Sequence, residues 1–409
     1  MFSPEENQLL TRVGPGTPTG ELFRRFWLPA LLSEELPRPD SPPVRVRLLG
    51  EDLVAFRDSG GRIGLLAPLC SHRGAPLFYG RNEEHGLRCV YHGWKYDVAG
   101  RCVDMPSEPA DSTFKERIQH KAYPCRERGG VIWTYMGPTE LMPELPDLEW
   151  NLVPEGHCRV AKWLHESNYL QGFEGDIDTA HASYLHSFLD PDRSPHDGTI
   201  SAALKAADKA PKIMVDQTDY GFRYGARRTV GEGRYNWRVT QWMLPTYSLI
   251  GFIQFPAGGR VWVPIDDERA RFGNGNSFPP QLLPGTYSPL RNRANEYLID
   301  RELQRTTTYT GIFGVNDQDR AIQEGMGAVF DRSQEHLGTS DVAIIAARQR
   351  LLKTVRELEG GTEPYAAQHP EIYAVRALDA VCPEPGFDAI LASYGERLQV
   401  PEVGSVARS

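Results

Sequence analysis

Two short segments of the chain each carry one cysteine and one histidine at close spacing. The four residues are Cys70 and His72, in CSHRGAPLFYG, and Cys89 and His92, in CVYHGWKYD, with sixteen residues between the two pairs. Each pair is predicted to lie at the tip of a hairpin-like loop. Thiolates and neutral imidazoles are metal ligands, so we expect both loops to meet at one metal centre, which constrains the fold around them.

Two kinds of metal centre are compatible with two thiolates and two imidazoles. Zinc is one alternative, but zinc fingers pair cysteine with cysteine and histidine with histidine. Here each loop supplies one of each, which suits a two-iron cluster in which one iron binds both sulfurs and the other binds both imidazoles. We therefore predict a [2Fe–2S] cluster of the Rieske type. Its neutral imidazoles remove negative charge from one iron and raise the reduction potential.

The residues around these loops are predicted to form a small β domain. Before it, TPTGELFRRFWLPALL (17–32) predicts a short helical segment that stops at Pro29 and is followed by a proline-rich connector. Short β-rich runs such as VRVRLLG, LVAFRD and GVIWTYMG then alternate with turn residues. We expect a helical segment and connector over 1–43 and an all-β domain over 44–140.

The remainder of the chain, 141–409, mixes helix and strand patterns. Helical patterns occur at 166–188, 290–307, 318–330 and 340–358. Strand candidates are GFRYGARRTV, YNWRVTQWML, YSLIGFIQF and GRVWVPI. This mixture predicts an α+β catalytic domain in which helices flank an antiparallel sheet in a helix-grip-like arrangement, so the overall fold class is α+β.

The amino-acid composition limits the classes of binding partner that we expect. Lys and Arg number 45 against 54 Asp and Glu, a net charge of -9 with interspersed signs, so we expect no nucleic-acid surface. The chain has no apolar run of about 18 residues and no secretory pattern at its start, so we expect a cytoplasmic protein without membrane association. Six cysteines in 409 residues are too few for a disulfide scaffold and leave thiolates available as ligands.

A second candidate metal site lies in EGDIDTAHASYLHSF (174–188), which contains His181 and His186. Residues five apart on a regular helix are rotated by about 140°, so we expect the helix to be bent, bulged or broken between the two histidines. Zinc proteases use a spacing of four with a glutamate inside, whereas this chain has Ala182 there. An Fe(II) triad also needs a carboxylate, and Asp178 is the nearest. One core and one surface histidine is the alternative for this pair considered by itself.

These motifs resemble the bacterial Rieske non-heme iron oxygenases. C-S-H-R-G with C-x-x-H-G-W is similar to their Rieske domain, and D-x-x-H-x-x-x-x-H is similar to the segment that binds their mononuclear iron. The similarity covers nearly the whole chain, including DMPSEP, WVPIDDE and DRSQEHLGTSD, and indicates the phthalate dioxygenase branch. Members of that branch hydroxylate aromatic carboxylates or demethylate aromatic ethers. The resemblance implies an oxygenase component with a Rieske [2Fe–2S] cluster and a mononuclear non-heme Fe(II).

The resemblance also implies roles for individual residues. The third iron ligand comes from GVNDQDRAIQEGMG, where Asp319 is preferred, Asp317 is the rival, and helix capping is the alternative for either. Asp178 then connects His181 to a cluster histidine of a neighbouring subunit instead of binding the iron. Three more polar residues match the family pattern and are expected to form hydrogen bonds around the iron, with a polar helix surface as the equal alternative: Asn168, Gln171 and Glu174.

Residue type suggests the substrate contacts. Five arginines lie in the half of the chain expected to form the pocket: Arg193, Arg223, Arg227, Arg228 and Arg238. A guanidinium can hold a carboxylate by two hydrogen bonds. Arg238, inside the apolar YNWRVTQW strand, is the preferred contact for an aromatic carboxylate such as phthalate. If the substrate is a neutral ether, none of the five need point inward.

The resemblance further implies partners. Such enzymes act with a separate NAD(P)H-dependent reductase that carries flavin and a [2Fe–2S] centre, and this chain has no flavin or nicotinamide fingerprint. Electrons cross a subunit interface in the family, which implies a homotrimer or a multiple of one. We expect incorporation of O₂ into an aromatic substrate. O-demethylation of a methoxylated aromatic is the alternative reaction, and a Rieske electron-transfer protein without oxygenase activity is the alternative from another class.

Overall fold

Short antiparallel strands form the first third of the molecule. The structure is a computed structural model that describes residues 2–154, 157–190, 200–251, 258–274 and 279–401. The chain opens with helices α1 (Pro4–Thr11) and α2 (Pro18–Arg24). The strands that follow are β1 (Trp27–Leu32), β2 (Val44–Leu48), β3 (Glu51–Arg57), β4 (Ile63–Leu66), β5 (Arg81–Glu83), β6 (Gly86–Arg88), β7 (Lys95–Tyr96), β8 (Cys102–Asp104), β9 (Ala122–Tyr123), β10 (Cys125–Arg128) and β11 (Val131–Tyr135).

Three small sheets arise from these strands, in the orders β1-β11-β10, β2-β3-β4-β9 and β5-β6-β7-β8. The loop after β4 carries Cys70 and His72, and the β6–β7 turn carries Cys89 and His92. Both cysteines belong to a separate hydrophobic core that also contains Trp94. The predicted all-β domain is therefore confirmed, with both loops anchored in one small core.

The start of this region corrects one prediction. The helical segment expected to stop at Pro29 ends at Arg24, and the residues around Pro29 form strand β1 instead. β1 is an edge strand that pairs with β11 and shifts register between Pro29 and Leu31. An edge position tolerates proline because the missing N–H is not needed by a further strand. β1 thus joins the β sheets, although the sequence placed the start of the domain at residue 44.

One large antiparallel sheet dominates the rest of the chain. Its strands are β12 (Ala161–His165), β13 (Lys212–Thr218), β14 (Gly221–Gly231), β15 (Arg234–Met243), β16 (Tyr247–Leu249), β17 (Gly259–Pro264), β18 (Ala270–Asn274) and β19 (Leu378–Cys382). The sheet order is β12-β18-β17-β16-β15-β14-β13, with β19 also paired to β15. The accompanying helices are α3 (Glu149–Leu152), α4 (Tyr169–Ile177), α5 (Ile200–Ala207), α6 (Arg301–Thr306), α7 (Val315–Gly325), α8 (Val342–Glu359), α9 (Tyr365–Gln368) and α10 (Phe387–Ser393). The predicted α+β architecture is confirmed.

The predicted helical patterns agree with the observed helices to different degrees. The pattern at 340–358 corresponds to α8 and the pattern at 318–330 to α7, but only the end of 290–307 is α-helical, as α6. Before α6, Glu296 and Tyr297 have φ of 50° and 55°, which an α-helix cannot accommodate. The periodicity of 290–307 is therefore misleading in its first half.

No helix within the described ranges is both long enough and apolar enough to cross a membrane.

Candidate metal centres

The two cysteine–histidine loops share one backbone construction. In each loop the cysteine N–H donates to the carbonyl five residues later, and the glycine four residues later donates back to the cysteine carbonyl, at 2.8 to 3.0 Å. These glycines, Gly74 and Gly93, have φ of 68° and 80°. Glycine adopts this left-handed conformation without steric cost. Equivalent tight turns therefore hold Cys70 and Cys89.

The four predicted cluster ligands lie together. Cys70 and Cys89 are buried, and burial together with the nearby Cys70 raises the pKa of the Cys89 thiol. The rings of His72 and His92 are 4.5 Å apart. The Nδ1 atom of His72 is buried and has no hydrogen-bond partner among the described residues. A buried polar atom without a partner is costly unless something such as a metal binds it, so this constellation fits a [2Fe–2S] cluster.

At the second site, the helix ends before the first histidine. α4 stops at Ile177, and Asp178 follows in an extended conformation. The Oδ1 atom of Asp178 accepts from the backbone N–H groups of Ala180, at 2.9 Å, and His181, at 3.3 Å. His181 then begins a short 3₁₀ turn. The prediction placed the interruption between the two histidines, but the helix already ends before His181, where Asp178 accepts hydrogen bonds from the backbone at the start of the new turn.

Hydrogen bonds to Nδ1 define the protonation of both rings. Nδ1 of His181 is 3.4 Å from Oδ2 of Asp178, and Nδ1 of His186 is 2.7 Å from Oε1 of Gln318. The Gln318 side chain is oriented by its own N–H, which donates to the carbonyl of Ile312 at 2.8 Å. A carboxylate and an amide oxygen only accept, so in the neutral rings Nδ1 carries the hydrogen. The Nε2 atoms of His181 and His186 are then both lone-pair acceptors.

Three acceptor atoms converge as a result. The two Nε2 atoms are 3.1 Å apart, and Oδ1 of Asp319 is 3.1 Å from that of His186 and 3.6 Å from that of His181. One ligand atom from each of these three residues lies within 4.8 Å of the other two, and no other group of His, Cys, Asp or Glu among the described residues meets this spacing. Two nitrogens bound at right angles, each about 2.1 Å from one metal, would lie about 3.0 Å apart. We refer to His181, His186 and Asp319 as the convergent triad, and its spacing fits a single metal ion.

The two aspartates of α7 differ sharply in surroundings. Burial opposes ionisation of Asp319, but the two triad histidines outweigh it and lower its pKa to about 2. Asp317 instead pairs with Arg320 at 3.0 Å and Arg291 at 3.7 Å. Neither aspartate caps the helix, because the N-cap is Gly314 and no side chain bonds to it there. The structure thus brings Asp319, and not Asp317, to the histidines.

The sequence reasoning missed Gln318. Its position beside Asp319 in α7 has no motif, and its role depends on a hydrogen bond to His186, 132 residues earlier. The one available signal is adjacency to an acidic residue already suspected of binding metal. Gln318 supports His186 as Asp178 supports His181.

Two of the five candidate arginines lie near the convergent triad. Arg228 is 1% exposed and donates to the carbonyl of Thr179 at 2.9 Å, while its Nε has no partner in the described part of the chain. Burial and the nearby charge of Arg238 lower the pKa of Arg228 to about 10. Arg238 donates to the carbonyl of Gly251 at 3.1 Å, and its charge acts on His181. The charges of Arg228 and Arg238 therefore lie near the segment that carries His181.

The remaining arginines are engaged elsewhere. Arg223 pairs with Asp216 at 2.8 Å, and Arg227 donates to the carbonyl of Pro385 at 2.6 Å. Arg193 lies outside the described residues.

Three polar residues expected around the iron have other partners, which corrects that prediction. Asn168 caps α4 and donates to the end of α1. Gln171 donates to carbonyl groups at and just after the end of α7. Glu174 forms buried ion pairs with Arg332, at 3.2 Å, and Arg348, at 2.6 Å. The hydrogen bonds of these side chains secure packing between helices, and none of these partners belongs to the convergent triad.

Two protein-family models match the chain, one over the β region and the other over the α+β region described above. The Rieske [2Fe-2S] domain matches residues 26–124, and the LigXa C-terminal domain like family matches residues 134–274 and 281–389.

Individual proteins are similar over most of the chain. The phthalate 4,5-dioxygenase oxygenase subunit of Pseudomonas putida is 41% identical over 388 residues, covering 88% of each chain. The 3-chlorobenzoate-3,4-dioxygenase oxygenase subunit of Comamonas testosteroni is 38% identical and covers 91% of this chain and 93% of its own. Among solved structures, the terminal oxygenase of carbazole 1,9a-dioxygenase from Nocardioides aromaticivorans IC177 gives a TM-score of 0.56. It is 20% identical, with coverage of 86% of this chain and 97% of that one, and so supports the fold.

Proposed function

Since the chain belongs to the Rieske non-heme iron oxygenases, we propose that it hydroxylates an aromatic carboxylate with O₂ and reductase-supplied electrons. It is an oxygenase component, and it carries a Rieske [2Fe–2S] cluster and a mononuclear non-heme iron. Oxygenase components of such systems act with a separate reductase. We infer an NAD(P)H-dependent reductase with flavin and its own [2Fe–2S] centre, and a cytoplasmic location in which the cysteines stay reduced.

Cys70 and Cys89 would bind one iron of the cluster, and His72 and His92 the other. The matched turns around the cysteines and the unpartnered Nδ1 of His72 support this assignment.

The proposed iron site rests on the close approach of three acceptor atoms, two imidazole nitrogens and one carboxylate oxygen. His181, His186 and Asp319 would bind the iron, because a bound cation compensates two lone pairs 3.1 Å apart beside a carboxylate. When bound, Fe(II) held by two histidines and one carboxylate supplies O₂ activation at its open positions. The protein contributes the orientation of the ligands. Asp178 and Gln318 hold the Nδ1 hydrogens and so keep both Nε2 atoms free for the metal.

Asp178 has capacity for a second contact. Its side chain is 25% exposed although it accepts from His181. A carboxylate can accept on both oxygens, so we assign Asp178 to a contact with a cluster histidine of a neighbouring subunit. This arrangement would connect the two metal centres across an interface.

Exposed apolar side chains support a homotrimer. One group surrounds the cysteine–histidine loops: Leu69, Tyr79, Val90, Tyr91 and Phe114. Another lies on residues flanking the convergent triad: Tyr184, Tyr309, Phe313, Val315 and Ile322. Because the two groups are on different parts of the chain, contact between them would be head-to-tail, and a rotation of about 120° per copy would close three copies into a ring. Size-exclusion chromatography with light scattering measures the assembly, and a monomer at micromolar concentration contradicts it.

Arg238 would select an anionic substrate. It sits close enough to His181 for its charge to act on that ring, and Arg228 lies beside it. Asp379 is the partly buried carboxylate near both arginines, and a guanidinium can hold a substrate carboxylate by two hydrogen bonds in addition to its protein contacts. The relatives named for phthalate and chlorobenzoate oxygenation act on aromatic carboxylates, which agrees with this inference.

The test is turnover with a matched reductase and NAD(P)H. The substrates are a panel of benzoates and phthalates, each paired with the corresponding carboxamide or methyl ester. We expect O₂ uptake coupled to a hydroxylated product from one or more acids, at least about 10-fold above the paired neutral compound, since loss of one charge-assisted hydrogen bond costs about 1.5 to 3 kcal/mol. Coupled turnover of the neutral compounds with none of the acids would remove the proposed substrate class and leave the oxygenase assignment intact.

A further inference from the structure

A buried histidine lies against the first cluster loop without being one of its predicted ligands. His120 is 3% exposed. Its Nε2 is 3.0 Å from the carbonyl oxygen of Ala67, and its Nδ1 is 2.7 Å from the hydroxyl of Ser71. Ala67 and Ser71 lie on either side of Cys70 in the sequence, so one imidazole bonds to both ends of the segment that carries this cysteine.

These two contacts determine where the protons lie. A carbonyl oxygen only accepts, so Nε2 of His120 carries a hydrogen and donates it to Ala67. Burial lowers the pKa of His120 and favours the neutral ring. In the neutral ring Nδ1 is an acceptor, and Ser71 must donate its hydroxyl proton to it. The Ser71 proton is therefore committed to His120.

A second hydroxyl contacts the cysteine itself. The Tyr96 hydroxyl is 3.2 Å from Sγ of Cys70. Ser71 also lies near enough to Tyr96 to influence its hydroxyl, and the Tyr96 ring packs 4.6 Å from that of His120. Once Cys70 is a thiolate ligand its sulfur can only accept, so Tyr96 donates to it. If the Ser71 proton were free, it could donate to the Tyr96 oxygen and strengthen that bond cooperatively.

We propose that His120 is a positioning residue that sets the reduction potential of the cluster by keeping the Ser71 proton away from the Tyr96–Cys70 hydrogen bond. The inference rests on the proposed cluster ligands. Hydrogen bonds to a ligand sulfur stabilise the more negative, reduced cluster and raise its potential. His120 thereby holds the potential below the value that these same hydroxyl groups would otherwise give.

Two substitutions separate the two bonds of His120. The amide nitrogen of glutamine reaches the place of Nε2, so His120→Gln keeps the bond to Ala67 and loses the acceptor for Ser71. The amide oxygen of asparagine reaches the place of Nδ1, so His120→Asn keeps the acceptor for Ser71 and loses the bond to Ala67. Redox titration of the purified holoprotein, followed by the EPR signal of the reduced cluster, measures the potential of each. We expect His120→Gln to shift it to a more positive value and His120→Asn to leave it at the wild-type value.

Ser71→Ala completes the test. It should leave the potential of the wild type unchanged, because that proton does not serve the sulfur, and should abolish the positive shift in the His120→Gln background. An unchanged potential in His120→Gln, or a lowered potential in Ser71→Ala within the wild type, overturns the proposal. Absence of a Rieske EPR signal from wild-type protein with full iron content would instead contradict the cluster assignment, so the two failures are distinguishable.

Discussion

The Nε2 atoms of His181 and His186 lie 3.1 Å apart, although the hydrogen-bond partners of both rings place the hydrogens on Nδ1. Neither nitrogen can donate to the other, so the contact is repulsive between neutral rings. Protonation of one ring or a bound cation relieves it. The pKa of His181 is raised, because burial is outweighed by the hydrogen bond with Asp178 and the charge of Asp319. In the metal-free protein these two carboxylates therefore favour an additional proton on His181, at the place where the loaded enzyme would hold iron.

Asp319→Asn is expected to remove the mononuclear iron. The substitution keeps the shape of the side chain but removes the negative charge that faces both Nε2 atoms. Iron content should fall from about three to about two per chain, since the [2Fe–2S] cluster retains its own two. Asp317→Asn is the matched control two residues earlier and should keep about three. A fall in iron for Asp317→Asn but not for Asp319→Asn would exchange their roles.

Gln318→Leu should weaken iron binding at the same site. It removes the acceptor for Nδ1–H of His186, and loss of such an orienting partner typically costs about 10- to 100-fold in metal affinity. Competition with a chelator while iron content is followed gives the affinity. Gln318→Glu keeps an acceptor oxygen and should recover most of it. Equal losses in Leu and Glu variants would show that the bond to Ile312, and not that to His186, matters.

Local sequence patterns predicted the metal-binding loops, whereas contacts between residues far apart in the sequence could not be predicted from such patterns. The close spacing of cysteine and histidine led directly to the turns around Cys70 and Cys89, since each loop is built from neighbouring residues. The mismatch between a spacing of five and the helical repeat predicted that no regular helix carries both histidines, but it placed the interruption between them, whereas the helix ends before His181. The identity of the third acidic residue came from resemblance, because at a separation of 133 residues no local pattern tells which carboxylate meets His186.

The predictions that were wrong also concern residues whose partners lie far away in the sequence. Trp27–Leu32 has an apolar pattern that suits a helix or a strand, and pairing with β11 decides for the strand. Asn168 and Glu174 stand near the histidines in sequence, yet α4 directs them to α1, Arg332 and Arg348. Tertiary partners decide such positions, and one sequence does not display them.

Arg332→Ala should destabilise the folded protein markedly. Arg332 is fully buried and pairs with Glu174, so its removal leaves that carboxylate buried with Arg348 as its remaining partner. We expect a loss on the order of 3 kcal/mol, seen as a lower thermal midpoint of the holoprotein. Arg305→Ala is the control, because its pair with Glu302 is largely exposed and should change little. A midpoint for Arg332→Ala equal to that of the control would contradict the structural role.

Arg238→Gln is expected to impair binding of the aromatic acid. Loss of a charge-assisted hydrogen bond should raise KM about 10- to 100-fold. The paired neutral compound should be unaffected, which excludes a general loss of folding. Arg223→Gln removes a similar cation that pairs with Asp216 and should leave KM unchanged. An unchanged KM for every acid in Arg238→Gln removes this residue from the substrate site.

Asp178→Asn should keep the mononuclear iron and lose turnover. The asparagine oxygen can still accept from Nδ1–H of His181, so the ring keeps its orientation. It offers one acceptor oxygen in place of two and carries no charge, so the proposed contact to a neighbouring cluster histidine weakens. We expect oxidation of the reduced cluster by O₂ with substrate present to slow about 10- to 100-fold in stopped-flow single turnover.

Metal analysis decides between the two possible roles of Asp178. If it connects the centres, iron stays near three per chain in Asp178→Asn while the transfer rate falls. If it is an iron ligand, iron drops to about two, as expected for Asp319→Asn. Asp216→Asn, on an exposed carboxylate of the β13–β14 hairpin, should match the wild type in both measurements. A normal transfer rate with full iron in Asp178→Asn would exclude both roles and leave Asp178 as the residue that ends α4.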